Sequence, residues 1–253
     1  MTPLPDHDRF RDLSYQDFRH LADDPNISKY NRIGFPDSYR QGFEAAIFRD
    51  ICGKLPGLNE REQTILDIGP GCSELPFFLV ELCRQRQHRL IGVDSAEMLA
   101  HLPNDAFIKK IEGPFPGCIE ALRASAPDGV DTILCYSVVH YIFAEYDLAE
   151  FANAAASLLN HGGAMLLGDI PNVSMRKRFF SSPRGKLYHR QFSGVDEDPI
   201  SLSTETEDGK INDAVILNLI AAFRHQGLDA YVVPQAGDLP MANRREDVLV
   251  RKN

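Results

Sequence analysis

The sequence predicts an α/β fold in which a seven-stranded, mostly parallel sheet carries helices on both faces. From Thr64 onward, short apolar runs alternate with amphipathic segments, which is the pattern of βαβ units around a parallel sheet. Two further stretches, at residues 230–233 and 246–251, predict a closing antiparallel pair. At 253 residues the chain is long enough for one full core, and we expect a single domain.

The individual elements follow from periodicity and from stop signals. Strands are predicted at residues 64–68, 89–93, 107–111, 131–135 and 164–167, and helices at residues 75–86, 96–101, 119–124, 147–159 and 213–225. Before them we expect a short helix around residues 15–21 and a longer one from the Pro36-Asp37 turn to about residue 51. The run Asn160-His161-Gly162-Gly163 is typical of a helix stop followed by a turn.

These elements divide the domain into four parts. Residues 1–60 are expected to form an N-terminal helical cap, 61–171 the ligand-binding core, 172–210 an insertion, and 211–253 the closing helix and strand pair. The insertion lacks clear periodicity, and long irregular segments of compact domains are usually functional or disordered. We therefore expect an ordered lid or a mobile loop.

The composition argues against several kinds of partner. The formal net charge is −9, whereas general nucleic-acid binders carry a strong basic excess. No apolar run approaches the roughly 20 residues of a membrane span, and the first ten residues lack the features of a signal peptide. The cysteines are scattered and never form a C-x-x-C pair, which indicates reduced thiols and no metal site. We expect a cytoplasmic monomer or homodimer.

The stretch ILDIGPGCSE places a glycine turn between a strand and a helix. Gly69 and Gly71 leave the backbone bare where the strand holding Asp67 ends, so that a ligand can approach the main chain. A dinucleotide fingerprint requires a further glycine at position 74, but this chain has Glu74, whose charge would repel a pyrophosphate. NAD and FAD are therefore disfavoured.

A second carboxylate marks the end of the next strand. Asp94, in LIGVDSAEML, is placed to accept hydrogen bonds from both hydroxyls of a ribose. The two motifs together predict a nucleoside ligand with a ribose and with no pyrophosphate at the turn. The alternatives are that Asp67 is a turn residue and that Asp94 only caps the following helix.

Four motifs in order, ILDIGPGCSE, LIGVDSAEML, VDTILCYSVVHYI and LLNHGGAMLLGDI, resemble those of class I S-adenosylmethionine-dependent methyltransferases. The resemblance covers about residues 60–170 and the terminal strand pair. It implies a Rossmann-like fold, S-adenosyl-L-methionine as cofactor and S-adenosyl-L-homocysteine as product. This chain departs from the family at Ser73, which replaces the usual third glycine, and in the position of the acidic residue after the third strand.

The resemblance assigns residues to each part of the cofactor. They are Asp67, Gly69, Pro70 and Gly71 for the methionine part, Asp94 for the ribose, Ser95, Met98, Glu112 and Gly113 for the adenine, and Tyr136 and Ser137 for the amino acid end. For Met98, core packing is an equal alternative.

Candidates for the chemistry lie after the fourth and fifth strands. His140, with an unperturbed pKa of about 6.5, can accept a proton from a hydroxyl group. Asp169 lies at a strand tip, where parallel sheets bind ligands. Each has a structural alternative, namely a buried hydrogen-bonded histidine and a turn aspartate. Tyr141 is a candidate for contact with the acceptor or for core packing.

The insertion is basic, whereas the chain as a whole carries a net negative charge. Between Asp169 and Asp196 there is no acidic residue, and basic residues are interleaved with aromatic ones. Such a segment is either a solvated loop or a lid over an anionic acceptor, since arginine binds phosphate and carboxylate groups bidentately. The residues predicted to bind the acceptor are Tyr39, Arg40, Tyr141, Arg176, Arg178 and His189.

The sequence thus predicts a methyltransferase that acts on an oxygen atom of a small anionic metabolite. A phosphorylated sugar or a nucleotide-linked intermediate, for example in polysaccharide biosynthesis, is the expected acceptor. The alternatives are a non-catalytic protein that binds the cofactor and a small-molecule N-methyltransferase. An aminopropyl transferase on the same fold is disfavoured, because its polyamine requires acidic residues where this chain is basic.

Overall fold

A seven-stranded sheet forms the centre of the computed structural model, which describes residues 13–193 and 209–253. Its strands are β1 (Thr64–Ile68), β2 (Arg89–Asp94), β3 (Ile108–Glu112), β4 (Val130–Tyr136), β5 (Leu159–Pro171), β6 (Asp229–Val233) and β7 (Arg245–Arg251). Their order is β3-β2-β1-β4-β5-β7-β6. Strands β1 to β5 run parallel, whereas β7 is antiparallel to both of its neighbours. The predicted fold class is confirmed.

Helices cover both faces of the sheet and its carboxyl edge. Before β1 lie α1 (Tyr15–Asp23), α2 (Lys29–Arg32), α3 (Asp37–Arg40), α4 (Glu44–Lys54) and a 3-10 turn (Pro56–Asn59). The core adds α5 (Leu75–Arg86), α6 (Ala96–Ala100), α7 (Ile119–Ser125), α8 (Val139–Glu145) and α9 (Leu148–Leu158). The remaining helices are α10 (Val173–Ser181), α11 (Pro183–Ser193) and α12 (Asp213–His225). None of the helices in this described part of the chain is long and apolar enough to cross a membrane.

The core is split by the sheet into two hydrophobic layers. Successive residues of a strand point to opposite faces, so Ile65 and Leu66 are both fully buried but belong to different clusters. One layer packs the sheet against α9 and α12 through Phe151 and Phe223, and the other against α4 and α5 through residues such as Leu79. Strands buried on both faces explain the nearly continuous apolar runs of the sequence.

Three local features differ from the predictions. Residues 139–145 form α8, which the apolar run of the sequence did not indicate. The helix expected to run to residue 51 is broken into α3 and α4, where Gly42 adopts a φ of 86°. The run Asn160-His161-Gly162-Gly163 lies within β5, where the pairing with β4 shifts register, and the turn that was expected there is absent.

The predicted insertion contains regular structure. Residues 173–193 form α10 and α11, although the sequence shows no clear helical period there. Asn172 caps α10, since its side-chain oxygen accepts the N–H groups of Ser174 and Met175. Residues 194–208 of the insertion, and residues 1–12 of the cap, lie outside the described residues.

Candidate functional site

A cavity opens at the carboxyl ends of β1 to β4, beneath the N-terminal helices. Its empty volume, including space that is open to solvent, is about 960 Å³. The strand order changes direction between β1 and β4, and ligands of open α/β sheets bind at this switch point. From the N-terminal segment, Tyr15, Phe18, Ile33, Phe35 and Arg40 form the opposite wall.

The glycine turn after β1 lines the floor of this cavity. Gly69 and Gly71 have φ angles of 72° and 65°, which disfavour any other residue. A Cβ atom at Gly69 would lie 2.5 Å from Val138, and one at Gly71 would lie 2.8 Å from Ile33. Both the backbone and the close packing of neighbouring elements therefore require glycine here. Pro70 also lines the cavity.

Asp94 at the tip of β2 is tied to the glycine turn and faces the cavity. Its Oδ2 accepts the N–H of Gly71 at 3.0 Å, and its Oδ1 accepts the N–H of Ser95 at 2.8 Å. Burial raises the pKa of Asp94 to about 6, while the two backbone hydrogen bonds act in the opposite direction. Each carboxylate oxygen keeps a second lone pair, which suits the paired hydroxyls of a ribose.

The other residues predicted near the adenine take different positions. Met98 lines the cavity and is buried, while Ser95 is buried as the N-cap of α6 and is not part of the cavity wall. Gly113, Pro114 and Phe115 line the end next to β3. Glu112 is exposed and does not line the cavity, so the predicted adenine contact through its side chain is not supported.

Asp67 is buried behind the cavity rather than on its surface. It is 5% exposed and is not among the lining residues. Burial, reinforced by the charge of Asp94, raises the pKa of Asp67 to about 8. At neutral pH this carboxyl group is mostly protonated, so that it can donate one hydrogen bond as well as accept one.

We expect the Asp67→Asn variant to be more stable than the parent protein at pH 8, with a smaller difference at pH 5. Between a pKa of about 3.8 in the unfolded chain and about 8 in the fold, only the folded state keeps the proton. The free energy of unfolding therefore falls as the pH rises through this window, and asparagine removes that loss. Thermal unfolding at both pH values measures the difference in stability between the two proteins. A difference that does not depend on pH would contradict a buried Asp67 that keeps its proton in the fold.

Glu74 does not act as a free charge at the start of α5. Its carboxylate forms an ion pair with Lys29 of α2 and lies 3.4 Å from the hydroxyl of Tyr30. The repulsion predicted for a pyrophosphate is therefore partly offset. The N-terminal helices instead cover the start of α5. A pyrophosphate is therefore excluded there for a steric reason.

Tyr136 and Ser137 line the cavity at the end of β4, next to a buried ion cluster centred on Asp169. The Oδ2 atom of Asp169 accepts hydrogen bonds from Arg40 at 2.8 Å, from Arg245 at 2.9 Å and from Ser137 at 2.6 Å. Arg40 also donates to the Ser137 hydroxyl. Burial alone would raise the pKa of Asp169, but Arg245 and Arg40 reverse this effect and lower it.

The backbone at the cluster is unusual at two positions. Asp169 and Ser137 have φ angles of 59° and 64°, in the left-handed region that residues other than glycine seldom adopt. The pairing of β5 with β7 shifts register at this point, and the N–H of Asp169 donates to Asp247 at 2.8 Å. Backbone strain of this kind persists where surrounding contacts hold it, often at functional sites.

A second carboxylate supports the cluster from behind. Asp247 is fully buried and accepts hydrogen bonds from Lys54 at 2.8 Å and from Gln235 at 3.1 Å. Gln235 also donates to Oδ1 of Asp169 at 3.2 Å. The sequence analysis did not identify these residues or Arg245, although charged residues inside the final apolar strand, RREDVLV, were an available signal.

The geometry weighs against both predicted proton acceptors. Both oxygens of Asp169 already accept hydrogen bonds, as described above. His140 does not line the cavity, and its Nδ1 is buried without a hydrogen-bond partner among the described residues. Burial, together with the charge of Arg245, lowers the pKa of His140 to about 3, so the imidazole is neutral and only weakly basic.

The predicted acceptor residues are only partly brought together. Arg40 and Tyr141 line the cavity, whereas Arg176, Arg178 and His189 do not. Arg178 is largely exposed and pairs with Asp213, which joins α10 to α12. His189 packs edge-on against Phe180, with 6.2 Å between the ring centroids. Tyr39 lines a second, smaller cavity next to the first.

Comparison with known proteins shows a match at the level of structure only. No protein-family model and no curated protein sequence matches this chain. The plantazolicin methyltransferase BpumL, solved with a triazolic desmethylPZN analog and SAH, is 13% identical, with a TM-score of 0.57 over 94% of this chain and 98% of its own. The CurJ carbon methyltransferase is 16% identical, with a TM-score of 0.51 over 85% of this chain and 56% of its own.

A third structure gives the same result. An O-methyltransferase family protein from Burkholderia thailandensis is 16% identical, with a TM-score of 0.51 over 96% of this chain and 64% of its own. At these identities the likeness defines the fold. The chain has the fold of class I S-adenosylmethionine-dependent methyltransferases, as its motifs predicted.

Proposed function

We propose that the protein is an S-adenosylmethionine-dependent methyltransferase that methylates an oxygen atom of a small anionic acceptor. The observation that carries the proposal is Asp94, which lies at the tip of β2, faces the cavity and is hydrogen-bonded to the N–H of Gly71. The glycine cradle, which any Cβ would fill, and the ribose acceptor Asp94 together fit a nucleoside with no pyrophosphate.

Different residues of the cavity bind different parts of the cofactor. Asp94 holds the ribose, Gly113 to Phe115 border the adenine, and Gly69, Tyr136 and Ser137 border the methionine part. When bound, the cofactor supplies an electrophilic methyl group on its sulfonium. The protein then contributes mainly by holding the acceptor in line with that methyl group and by excluding water. The N-terminal helices close the cavity for this purpose.

The anionic acceptor is supported by the charge around the site. Arg40 lies in the cavity wall, and Arg245 lies behind it against the same carboxylate. An ionised phosphate or carboxylate acceptor, such as a phosphorylated sugar or a nucleotide-linked intermediate, fits this charge.

The proposal is tested by calorimetric titration of the full-length protein with S-adenosylmethionine, S-adenosylhomocysteine and NAD. We expect micromolar binding of the first two and no binding of NAD, since the cap covers the start of α5. Binding of NAD without a response to the other two would overturn the cofactor assignment. Tight binding of the cofactor with no transfer to any anionic acceptor would favour a protein that binds it without catalysis.

A further inference from the structure

We propose that Tyr15 of α1 covers the nucleoside part of the cofactor, and that an ion pair between Arg19 and Glu97 holds Tyr15 there and slows the release of the cofactor. This inference rests on the proposed function and extends the cofactor site to the N-terminal segment. Tyr15 lines the cavity, whereas Arg19 and Glu97 do not and act as positioning residues.

A capping box sets the start of α1 at Tyr15. The side-chain oxygen of Ser14 accepts the N–H of Asp17 at 3.2 Å, and the N–H of Ser14 donates to the carboxylate of Asp17 at 2.8 Å. Tyr15 is therefore the first residue of the helix. Phe18 and Arg19 follow three and four positions later, so that all three side chains lie on neighbouring turns of one side of the helix.

Tyr15 lies at the end of the cavity that contains Asp94. Burial, and next the charge of Asp94, raise the pKa of Tyr15 to about 12, which means that the tyrosine hydroxyl faces the carboxylate proposed to bind the ribose. Cys118 also acts on this pKa, and a Cβ atom at Gly113 would lie 3.6 Å from Cβ of Cys118. Tyr15 thus covers the part of the cavity between the ribose acceptor and the residues proposed to border the adenine.

Arg19 joins α1 to α6 through a fork of hydrogen bonds. Its Nε donates to both carboxylate oxygens of Glu97 at 3.0 Å, and its Nη2 donates to Oε1 at 2.7 Å. Glu97 lies in the first turn of α6, three residues after Asp94. Because a forked arginine–carboxylate pair is directional, it fixes the position of α1 beside the ribose acceptor.

Two further hydrogen bonds attach the ends of α1. The N–H of Tyr15 donates to Oε1 of Glu145 in α8 at 3.0 Å, and Glu145 itself lines the cavity. At the other end, Nε2 of His101 lies 3.1 Å from the carbonyl oxygen of Ala22. The helix therefore bridges the cavity from α8 to the region of α6.

The attachment of α1 is mainly polar. Ala22 is the one residue of α1 in a buried hydrophobic cluster, together with Cys72 and Met98, and this cluster is separate from the two layers of the core. The side chains of Arg19 and Glu97 are 41% and 20% exposed. Elements with few buried apolar contacts open at a low cost in free energy. The helix can therefore leave the cavity while the sheet stays intact, and the ion pair determines how long it stays closed.

The test measures the rate at which S-adenosylhomocysteine dissociates from the full-length protein, by surface plasmon resonance. We expect Arg19→Ala and Tyr15→Ala each to raise the dissociation rate by at least about fivefold without lowering the association rate, because lost contacts act mainly on dissociation. Arg19→Lys keeps the charge but not the fork, and should give an intermediate rate. An unchanged dissociation rate in Tyr15→Ala or in Arg19→Ala overturns the proposal.

A surface ion pair provides the matched control. Arg123 pairs with Glu120 within α7, and neither residue lines the cavity. Arg123→Ala should leave both rates as they are in the parent protein. A rise in the dissociation rate of Arg123→Ala equal to that of Arg19→Ala would mean a general effect of surface charge, and contradicts the proposal.

Double variants show whether Arg19 acts through Tyr15. In a protein that already carries Tyr15→Ala, adding Arg19→Ala should raise the dissociation rate by less than about twofold, since no tyrosine remains to be positioned. Arg19→Ala combined with Glu97→Ala should likewise release the ligand no faster than Arg19→Ala alone. Effects that multiply in either pair would mean independent roles and contradict the positioning of Tyr15.

The last arm identifies the part of the cofactor that Tyr15 covers. The ligand 5′-methylthioadenosine keeps the nucleoside and lacks the amino acid part, so we expect Tyr15→Ala to weaken its binding by the same factor as that of S-adenosylhomocysteine. A loss confined to S-adenosylhomocysteine overturns the proposal. If the parent protein binds neither ligand, the proposed function itself fails. If the variants bind both ligands as the parent protein does, only the role of Tyr15 and Arg19 is refuted.

Discussion

Replacing Asp94 with alanine is expected to weaken the binding of S-adenosylhomocysteine by at least about 100-fold. The ribose hydroxyls lose two hydrogen bonds to a charged group, each worth roughly 1.5–3 kcal/mol. The N–H of Gly71 also loses its partner, so that the glycine turn is less well held. Titration calorimetry measures the affinity, and thermal unfolding shows whether the fold is retained.

Two control variants separate the ribose contact from a general effect of charge. Asp94→Asn keeps the shape and one acceptor oxygen, and we expect an intermediate loss of affinity. Asp105→Ala removes a surface carboxylate that pairs with Arg84, and should leave the affinity unchanged. An affinity in Asp94→Ala equal to that of the parent protein would remove the ribose assignment.

The pKa of Asp94 adds a pH dependence to the same interaction. Because its pKa is about 6 in the fold, the carboxylate is ionised at pH 7 and increasingly protonated below pH 6. A protonated carboxyl group is a weaker acceptor, so the affinity for S-adenosylhomocysteine should fall as the pH decreases from 7 to 5. In Asp94→Asn this decrease should be absent.

The second large effect is expected from Asp169→Ala, which should lower the free energy of unfolding by about 3–5 kcal/mol. The substitution leaves Arg40 and Arg245 buried without their shared carboxylate, and an unpaired buried charge is strongly destabilising. For a chain of this size such a loss corresponds to a decrease of roughly 6–20 °C in unfolding temperature.

The matched control is an ion pair at the surface. Asp213 pairs with Arg178, whose side chain is 59% exposed, and exposed pairs contribute roughly 0–1 kcal/mol. We therefore expect Arg178→Ala to change the unfolding temperature little. Equal effects of Asp169→Ala and Arg178→Ala would mean that the cluster around Asp169 is solvated. In that case a buried ion pair would not fix the position of Arg40.

The fold class and the glycine turn were predictable because both depend on local patterns. Buried parallel strands need apolar runs, and a turn with positive φ angles needs glycine, so Gly69 and Gly71 are visible in one short motif. Asp94 is equally visible at the end of its strand. The residue-level roles in binding remain predictions, although the structure places most of the predicted residues around one cavity.

The sequence was least informative where a residue's position depends on distant partners. The helices α10 and α11 have little periodicity of their own, and packing between them and against the rest of the fold compensates for this. Arg178 was predicted to bind the acceptor. In the structure it forms an ion pair with Asp213, which lies 35 positions further along the chain.

The sequence by itself determined the fold class, the glycine turn and the carboxylate at the tip of β2, since each is encoded by neighbouring residues. Only the tertiary structure decided how the charged groups around Asp169 are arranged at the cavity wall. Asp169 is predictable as a strand-tip carboxylate, but Arg40 and Arg245 lie 129 and 76 positions away in the chain. Their charges lower its pKa and their guanidinium groups donate to its Oδ2 atom, so that the predicted base instead holds an arginine at the cavity wall.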